Sequence, residues 1–169
     1  GHMESVGYDM YLKLLGEAVS EEKGEAAQSA DLDCLIDISV NAHIPESYVE
    51  SLTLRLDVYR RIADIRNKED SLDVKDELKD RFGEIPESVL GLIDIALIRN
   101  CANAMGIYEI RQTDTNVLLF VKEIKSPKVI ELLSRLNGRA MLSAGNKPYI
   151  TIRCGGGSSL DMLKKVFKI

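Results

Sequence analysis

Two kinds of apolar spacing divide this chain near Gly106. Before that glycine, apolar residues recur at intervals of three and four, which is the spacing of one face of an α-helix. After it, short alternating runs predict β-strands separated by turns, in the order strand, strand, helix, repeated once. We therefore expect an α+β fold, in which an N-terminal helical portion precedes a ββαββα unit with a four-stranded, largely antiparallel sheet and two helices on one face.

Local signals predict where the N-terminal elements begin and end. The short β-branched run at 34–40 indicates a strand, and an apolar stripe from Leu52 to Arg66 indicates a helix of about four turns. A second helix, capped by Asp70 or Ser71, is expected to end at Gly83, because glycine readily adopts the left-handed conformation found just past helix ends.

The tetrapeptide Ile-Pro-Glu-Ser occurs twice, at 44–47 and at 85–88. Proline lacks an N–H and has a fixed φ, so it suits the first turn of a helix. We interpret the second copy as a loop that opens a third helix at Pro86, and the first copy as the same device or as an extended turn before Glu50. A duplicated binding motif is not favoured, because the sequences that flank the two copies do not align.

The pattern divides the chain into four parts. Residues 1–3 are interpreted as the remnant of an expression tag. An amphipathic helix at 4–22 and a polar, acidic linker at 21–33 come next. The remainder, 34–169, is expected to be one domain, mainly helical over 34–106 and ββαββα over 107–169.

Charge is distributed unequally between these parts. Residues 1–106 carry a net charge of −11, and residues 107–169 carry +6, with 11 basic and five acidic side chains. A basic sheet is typical of nucleic-acid-binding modules, so 107–169 could act as one. Against this alternative, only Tyr108, Phe120 and Tyr149 could stack on bases in the predicted strands. Opposite charges could equally orient the chain on another protein.

The sequence offers little for catalysis. Outside the tag there is one histidine, His43, and the three cysteines show no CxxC spacing, as in a reduced cytosolic protein. The glycine run 155–157 lacks the Gly-Lys pair of a phosphate-binding P-loop, so Ser158 or Ser159 is read as a helix cap. We expect no catalytic, cofactor or metal site, no membrane span and a cytoplasmic location.

Several short motifs carry a family resemblance. The chain resembles the C-terminal domain of the bacterial transcription-repair coupling factors over about residues 34–125, and Asp-Arg-Phe-Gly followed by Pro is the most specific part. Residues 6–19 are similar to the helix that leaves the second motor domain of those proteins. The matching motifs are Ile44-Pro45, Arg55 with Tyr59, the run 78–86 that includes Asp80, Arg81, Phe82, Gly83 and Pro86, then 92–96 and 104–107.

The resemblance implies an activity that belongs to a longer parent protein and not to this chain itself. The parent protein would be an ATP-driven DNA translocase, using ATP and magnesium, that removes stalled RNA polymerase from double-stranded DNA and recruits UvrA for nucleotide excision repair. The C-terminal domain would be non-catalytic, docking on the N-terminal UvrA-binding module to keep the parent autoinhibited. The motif residues are expected to be structural: Phe82 in the core rather than in recognition, and Arg55, Tyr59, Asp80 and Arg81 in a polar cluster between helices.

Overall fold

The computed structural model describes residues 34–169, and the helix and linker predicted over 4–33 lie outside the described residues. Five helices and five strands follow one another in this part of the chain. The helices are α1 (Leu52–Ala63), α2 (Lys68–Phe82), α3 (Glu87–Ala104), α4 (Pro127–Leu136) and α5 (Ser159–Phe167). The strands are β1 (Leu35–Asp37), β2 (Ile107–Gln112), β3 (Asn116–Val121), β4 (Ala140–Ser143) and β5 (Tyr149–Arg153). The predicted α+β class is confirmed.

The described residues form two compact units. The helical unit comprises Asn41–Leu97, and the sheet unit comprises 34–40 together with Ile98–Ile169. Helix α3 belongs to the helical unit in its first part and to the sheet unit in its second. None of the helices described between residues 34 and 169 combines the length and the apolar character needed to cross a membrane.

The start of α2 differs from the prediction. Its N-cap is Asn67, whose side-chain oxygen accepts from the amide of Asp70 at 2.8 Å, so the helix begins before the predicted caps. The carboxylate of Asp70 instead accepts from the amide of Arg66 at 2.9 Å. The two side chains together satisfy free amides on both sides of the helix start, and they extend the helix toward its N-terminus.

The core of the helical unit draws on both the helices and the loop before them. Leu78 and Ile62 are fully buried, as are Ala42 and Val49 of the segment between β1 and α1. Burial of such aliphatic side chains is the main favourable term in folding. Further buried apolar residues of this unit are Ile44, Val58, Tyr59, Ala63, Ile65, Val74, Val89, Leu92, Ile93, Ile95, Ala96 and Leu97.

The sheet has five strands, not the four expected, in the order β1-β2-β3-β5-β4. The added strand is the predicted run at 34–40, which pairs in parallel with β2 so that Ile36 lies opposite Ile110. All other pairs are antiparallel. Local patterning identified β1 as a strand but could not specify its partner, because β2 lies some seventy residues later in the chain.

One face of the sheet is buried and the other is partly open. Alternate residues of β3, Val117, Leu119 and Val121, are buried, while the residues between them are only half-buried. Helices α4 and α5 contribute buried Leu132 and Leu163. A sheet with this alternation packs its helices on one face, as expected, and leaves the other available for contacts.

Candidate functional site

Two motif residues of the helical unit, Arg55 and Tyr59, bind one loop, 43–50, which contains the first Ile-Pro-Glu-Ser copy. Its buried Ile44 donates its amide to the phenol oxygen of Tyr59 at 2.9 Å. The Arg55 guanidinium donates to the carbonyls of Val49 and Glu50, each at 2.8 Å. Both side chains stand on α1, one turn apart, because residues at i and i+4 share a helix face. Arg55 and Tyr59 therefore fix this loop to α1.

Tyr48, which sequence reasoning missed, ties the same loop to the end of α2. Its hydroxyl lies 3.2 Å from the carbonyl of Leu78 and 3.0 Å from that of Gly83. Its ring packs against Phe82 with centroids 5.7 Å apart. The only local signal was a large amphipathic side chain directly after Ile-Pro-Glu-Ser. The hydroxyl has one proton, so it donates to one carbonyl at a time, and that of Gly83 lies just past the helix end, where carbonyls lack intrahelical partners.

Phe82 is half-buried, so the expectation of a core side chain is wrong. One side of its ring contacts Tyr48, and the Arg81 guanidinium lies 4.9 Å from its centroid. A cation over an aromatic face contributes about 0.5–1 kcal/mol at exposed sites. Gly83 ends the helix with φ of 89°, a conformation that favours glycine. Phe82 is therefore held at the surface by its two neighbours.

The two Ile-Pro-Glu-Ser copies share one local geometry, and the residue directly before the first copy binds the second. In each, the proline carbonyl accepts from the amides three and four residues later, at 3.0 to 3.1 Å. After Pro86 the turn continues as α3, whereas after Pro45 it ends, and α1 starts separately at Leu52 behind the N-cap Ser51. Of the two interpretations of the first copy, a helix start or a turn before Glu50, the turn is therefore correct. The amide of His43, directly before the first copy, donates to the backbone carbonyl of Ser88 in the second copy at 3.2 Å.

The four residues expected in a polar cluster do not assemble into one. Arg55 and Tyr59 bind the loop 43–50, whereas Asp80 and Arg81 are exposed on α2. Asp80 instead ends a row of exposed carboxylates spaced by three and four, which places them on one helix face. We call this row the acidic stripe: Glu69, Asp73, Asp76 and Asp80.

The sheet unit contains a basic cleft of about 1230 Å³. Five cationic residues and a single carboxylate, Asp161, line it, and we call these cations the cleft cations. Such an arrangement favours anionic ligands. The cations come from α4, the turn after it, β5, α5 and its C-cap: Arg135, Arg139, Arg153, Lys165 and Lys168.

The glycine run 155–157 leads into α5 through its N-cap. Ser158 caps the helix, accepting from the amide of Asp161 at 3.4 Å, as one of the two predicted caps. Gly155 and Gly156 have φ of 61° and 84°. Because Asp161 places a carboxylate in the first helical turn, this terminus is less attractive to a phosphate than an uncharged one.

The three thiols form no disulfide. Cys34 is buried, while Cys101 and Cys154 are half-buried, and burial raises the pKa of both half-buried thiols. A raised pKa disfavours the nucleophilic thiolate. Within residues 34–169, no group of three or more histidine, cysteine or acidic side chains is placed to hold a metal ion.

Comparison with known proteins identifies the family. A family model described as the TRCF domain matches residues 38–131, more than half of the chain. The chain belongs to the TRCF domain family. The match covers the loop 43–50, helices α1 to α3, the hairpin β2–β3 and the start of α4, so it spans both units.

Relatives of this TRCF domain are much longer proteins. The transcription-repair-coupling factor of Bacillus subtilis (strain 168) is 31% identical over 172 residues, covering 98% of this chain and 15% of that protein. That of Mycobacterium tuberculosis (strain CDC 1551 / Oshkosh) is 35% identical over 120 residues, covering 65% of the chain and 10% of the protein. The chain thus spans a small part of the length of these relatives.

A solved structure shows the same fold. The crystal structure of a C-terminal domain of transcription-repair coupling factor superimposes with a TM-score of 0.70 at 17% identity. It covers 80% of this chain and 88% of that one. The fold of the TRCF domain therefore extends over most of the described residues.

Proposed function

We propose that this chain is a non-catalytic regulatory domain of a transcription-repair coupling factor. It docks on the N-terminal UvrA-binding module of the parent and keeps the ATP-dependent DNA translocase autoinhibited. The observation that carries the proposal is the TRCF family match, together with relatives whose names couple transcription to repair. The parent acts on stalled RNA polymerase and double-stranded DNA in the cytoplasm, and ATP and magnesium serve its motor.

The charges of the domain support docking as its mode of action. The acidic stripe on α2 and the cleft cations of the sheet unit are two exposed surfaces of opposite sign. Complementary charge orients protein partners and raises their association rate. The sequence of 21–33 is typical of a linker, and a flexible tether holds two modules at an effective concentration in the millimolar range. A clamp of moderate intrinsic affinity therefore suffices.

Co-purification tests the docking step directly. Residues 1–169 should bind the separately produced N-terminal UvrA-binding module, and the complex should weaken as salt rises, because exposed charge pairs are screened. Two charge reversals are compared, and one of them should reduce binding. The first changes three carboxylates of the acidic stripe to Lys: Asp73, Asp76 and Asp80. The second reverses the charges of Arg139 and Lys165 in the cleft. Lys125→Glu with Lys147→Glu is the matched control, because both lysines are exposed and lie outside the cleft lining.

Deletion from the parent tests the regulatory step. Removing residues 34–169 should raise the affinity of the parent for UvrA. The charge reversal that weakens docking in the co-purification experiment should, in the full-length parent, reproduce part of this rise. If the truncated parent binds UvrA no better than the intact protein, the masking role is wrong and the domain has a different partner.

A further inference from the structure

The open face of the sheet presents aromatic side chains from three adjacent strands. Phe120 of β3 lies opposite Tyr149 of β5 in register, with ring centroids 5.4 Å apart. Tyr108 of β2 lies on the other side of Phe120 at 6.1 Å, at a bulge between Ile107 and Glu109. The sequence places these rings up to 41 positions apart. The pairing of β2, β3 and β5 gathers them into one patch, which we call the aromatic platform.

The aromatic platform is accessible and carries a cation. All three rings are half-buried, so part of each is exposed to solvent. The Arg111 guanidinium lies 5.3 Å from the centroid of Phe120, and it also donates to both carboxylate oxygens of Glu109 at 3.0 and 3.1 Å. Adjacent strands are about 4.8 Å apart, so three rings on neighbouring strands span roughly 10 Å. That length accommodates two or three stacked bases.

Charge changes sign across this face. At the β1–β2 edge, Asp37 lies opposite Arg111, and Glu109 lies opposite Leu35. On the far side of the platform, exposed Arg153 lies opposite Asn116 at the end of β5, and both line the basic cleft. Thr151, which lies between Tyr149 and Arg153 on the same side of β5, also lines the cleft, as does its register partner Met141. The basic cleft therefore reaches the open face through Thr151 and Arg153, which follow Tyr149 along the same side of β5.

We propose that this surface binds a single-stranded nucleic acid, whose bases stack on Tyr108, Phe120 and Tyr149 and whose phosphates continue past Arg153 into the basic cleft. Stacking on aromatic side chains combined with a cationic groove is how sequence-tolerant single-strand binding works. A duplex cannot use this platform, because its base faces are already stacked on one another. An acidic peptide would use the cleft cations and leave the platform unused. The proposal goes beyond the docking function and does not depend on it, and the cleft cations would serve one of the two partners at a time.

Fluorescence anisotropy with a labelled oligo(dT), an oligo(U) and a duplex of matched length tests the proposal on the whole chain. We expect oligo(dT) and oligo(U) to bind comparably, since neither stacking nor phosphate contact requires the 2′-hydroxyl, and both to bind more tightly than the duplex. Because the chain contains no tryptophan, Tyr149→Trp supplies a single reporter whose emission should change when a base stacks on it.

Two substitutions separate stacking from charge. Phe120→Leu keeps an apolar side chain but removes the ring, and it should weaken oligo(dT) binding by about 5-fold or more without changing its salt dependence. Arg153→Ala should weaken binding and reduce the slope of log K against log salt by about 0.7, the value for one phosphate of a single strand. Matched controls are Phe82→Leu, a half-buried ring of the helical unit, and Lys125→Ala, an exposed cation outside the cleft.

Three results would overturn the proposal. The first is equal binding of single strand and duplex, with Phe120→Leu and Phe82→Leu behaving alike, which would mean general polyanion attraction. The second is binding of oligo(U) alone, which would mean recognition of the ribose. The third is binding of poly-glutamate but not of oligo(dT), which would make this surface a protein contact. Circular dichroism of each variant confirms that the compared proteins are folded.

Discussion

The buried amide of Ile44 donates to the phenol oxygen of Tyr59 at a distance of 2.9 Å. This bond joins the first Ile-Pro-Glu-Ser copy to α1, and Arg55, one turn earlier on the same helix, binds the carbonyls at the other end of the loop. A buried backbone amide without a partner is costly, so the Ile44 amide needs the Tyr59 oxygen, whereas Arg55 binds carbonyls nearer the surface. Two motif residues of the TRCF domain therefore hold this loop against α1.

Tyr59→Phe tests this interpretation. The variant keeps the buried ring but leaves the amide of Ile44 without its acceptor, so we expect a loss of about 1–3 kcal/mol in the free energy of unfolding. Urea denaturation followed by circular dichroism measures it. Tyr149→Phe is the matched control, since Tyr149 is half-buried on the open face, and its loss should be much smaller. Equal losses in the two variants would contradict the role of Tyr59.

The same residue predicts how stability depends on pH. Burial raises the pKa of Tyr59 above its ordinary value of 10.0, although the Ile44 amide and the Arg55 guanidinium oppose the shift. Burial, and then the charge of Glu84, also raise the pKa of Tyr48. Above the unfolded pKa, the unfolded chain loses these protons while the folded chain keeps them, so stability is complete below pH 10 and falls as pH rises further.

Urea midpoints measured at pH 9 and pH 11 check this dependence. Wild type should lose stability across the interval, and Tyr59→Phe should lose less, because it no longer has this proton to release. The difference between the two proteins isolates Tyr59 from the lysines that titrate in the same range. Parallel losses in wild type and variant would show that Tyr59 does not contribute.

Phe82→Ala should destabilise the domain only moderately. A fully buried phenylalanine costs about 3–5 kcal/mol on truncation, and a half-buried ring should cost about 2 kcal/mol. Leu78→Ala, at a position with no exposed surface, provides the buried reference and should cost more. Denaturant midpoints of the two variants decide the matter. A loss for Phe82→Ala as large as that for Leu78→Ala would restore the core assignment.

Gly83→Ala should cost about 1–3 kcal/mol through backbone strain alone. With φ of 89° the position disfavours a side chain, although nothing lies within 4 Å of an added Cβ. Gly157→Ala is the control: its φ lies outside that region, and an added Cβ would meet only the Cys154 carbonyl at 3.8 Å. The midpoint of thermal unfolding should therefore be lower for Gly83→Ala than for Gly157→Ala. If they coincide, the conformation at Gly83 is not what requires glycine.

Asn67→Ala should cost about 1 kcal/mol, since it removes the side-chain oxygen that caps α2. Ser126→Ala offers a direct comparison at the start of α4, where the N-cap side chain makes no capping hydrogen bond, and its effect should be near zero. Chemical denaturation of the two variants measures the difference. Equal effects would mean that the capping bond of Asn67 does not determine where α2 begins.

Local chemistry explains the elements that the sequence predicted well. The strand predicted directly after Gly106 is β2, and α5 begins at Ser159 behind the serine cap, because alternation and capping act over a few residues. The opposite charges of the two halves were also visible directly in the sequence. Asn67 is the local exception: it caps α2, while Asp70, one of the two predicted caps, accepts from the amide of Arg66 before the helix.

What the sequence alone determined was the α+β class, the order of the elements and, through its motifs, the TRCF family. Only the tertiary structure decided which distant segments meet. It placed β1 beside β2, bound the loop 43–50 to α1 through Tyr59, and brought Tyr108, Phe120 and Tyr149 into one patch. The physical reason is that periodicity, caps and turns are short-range, whereas strand partners and ring contacts depend on how the whole chain packs.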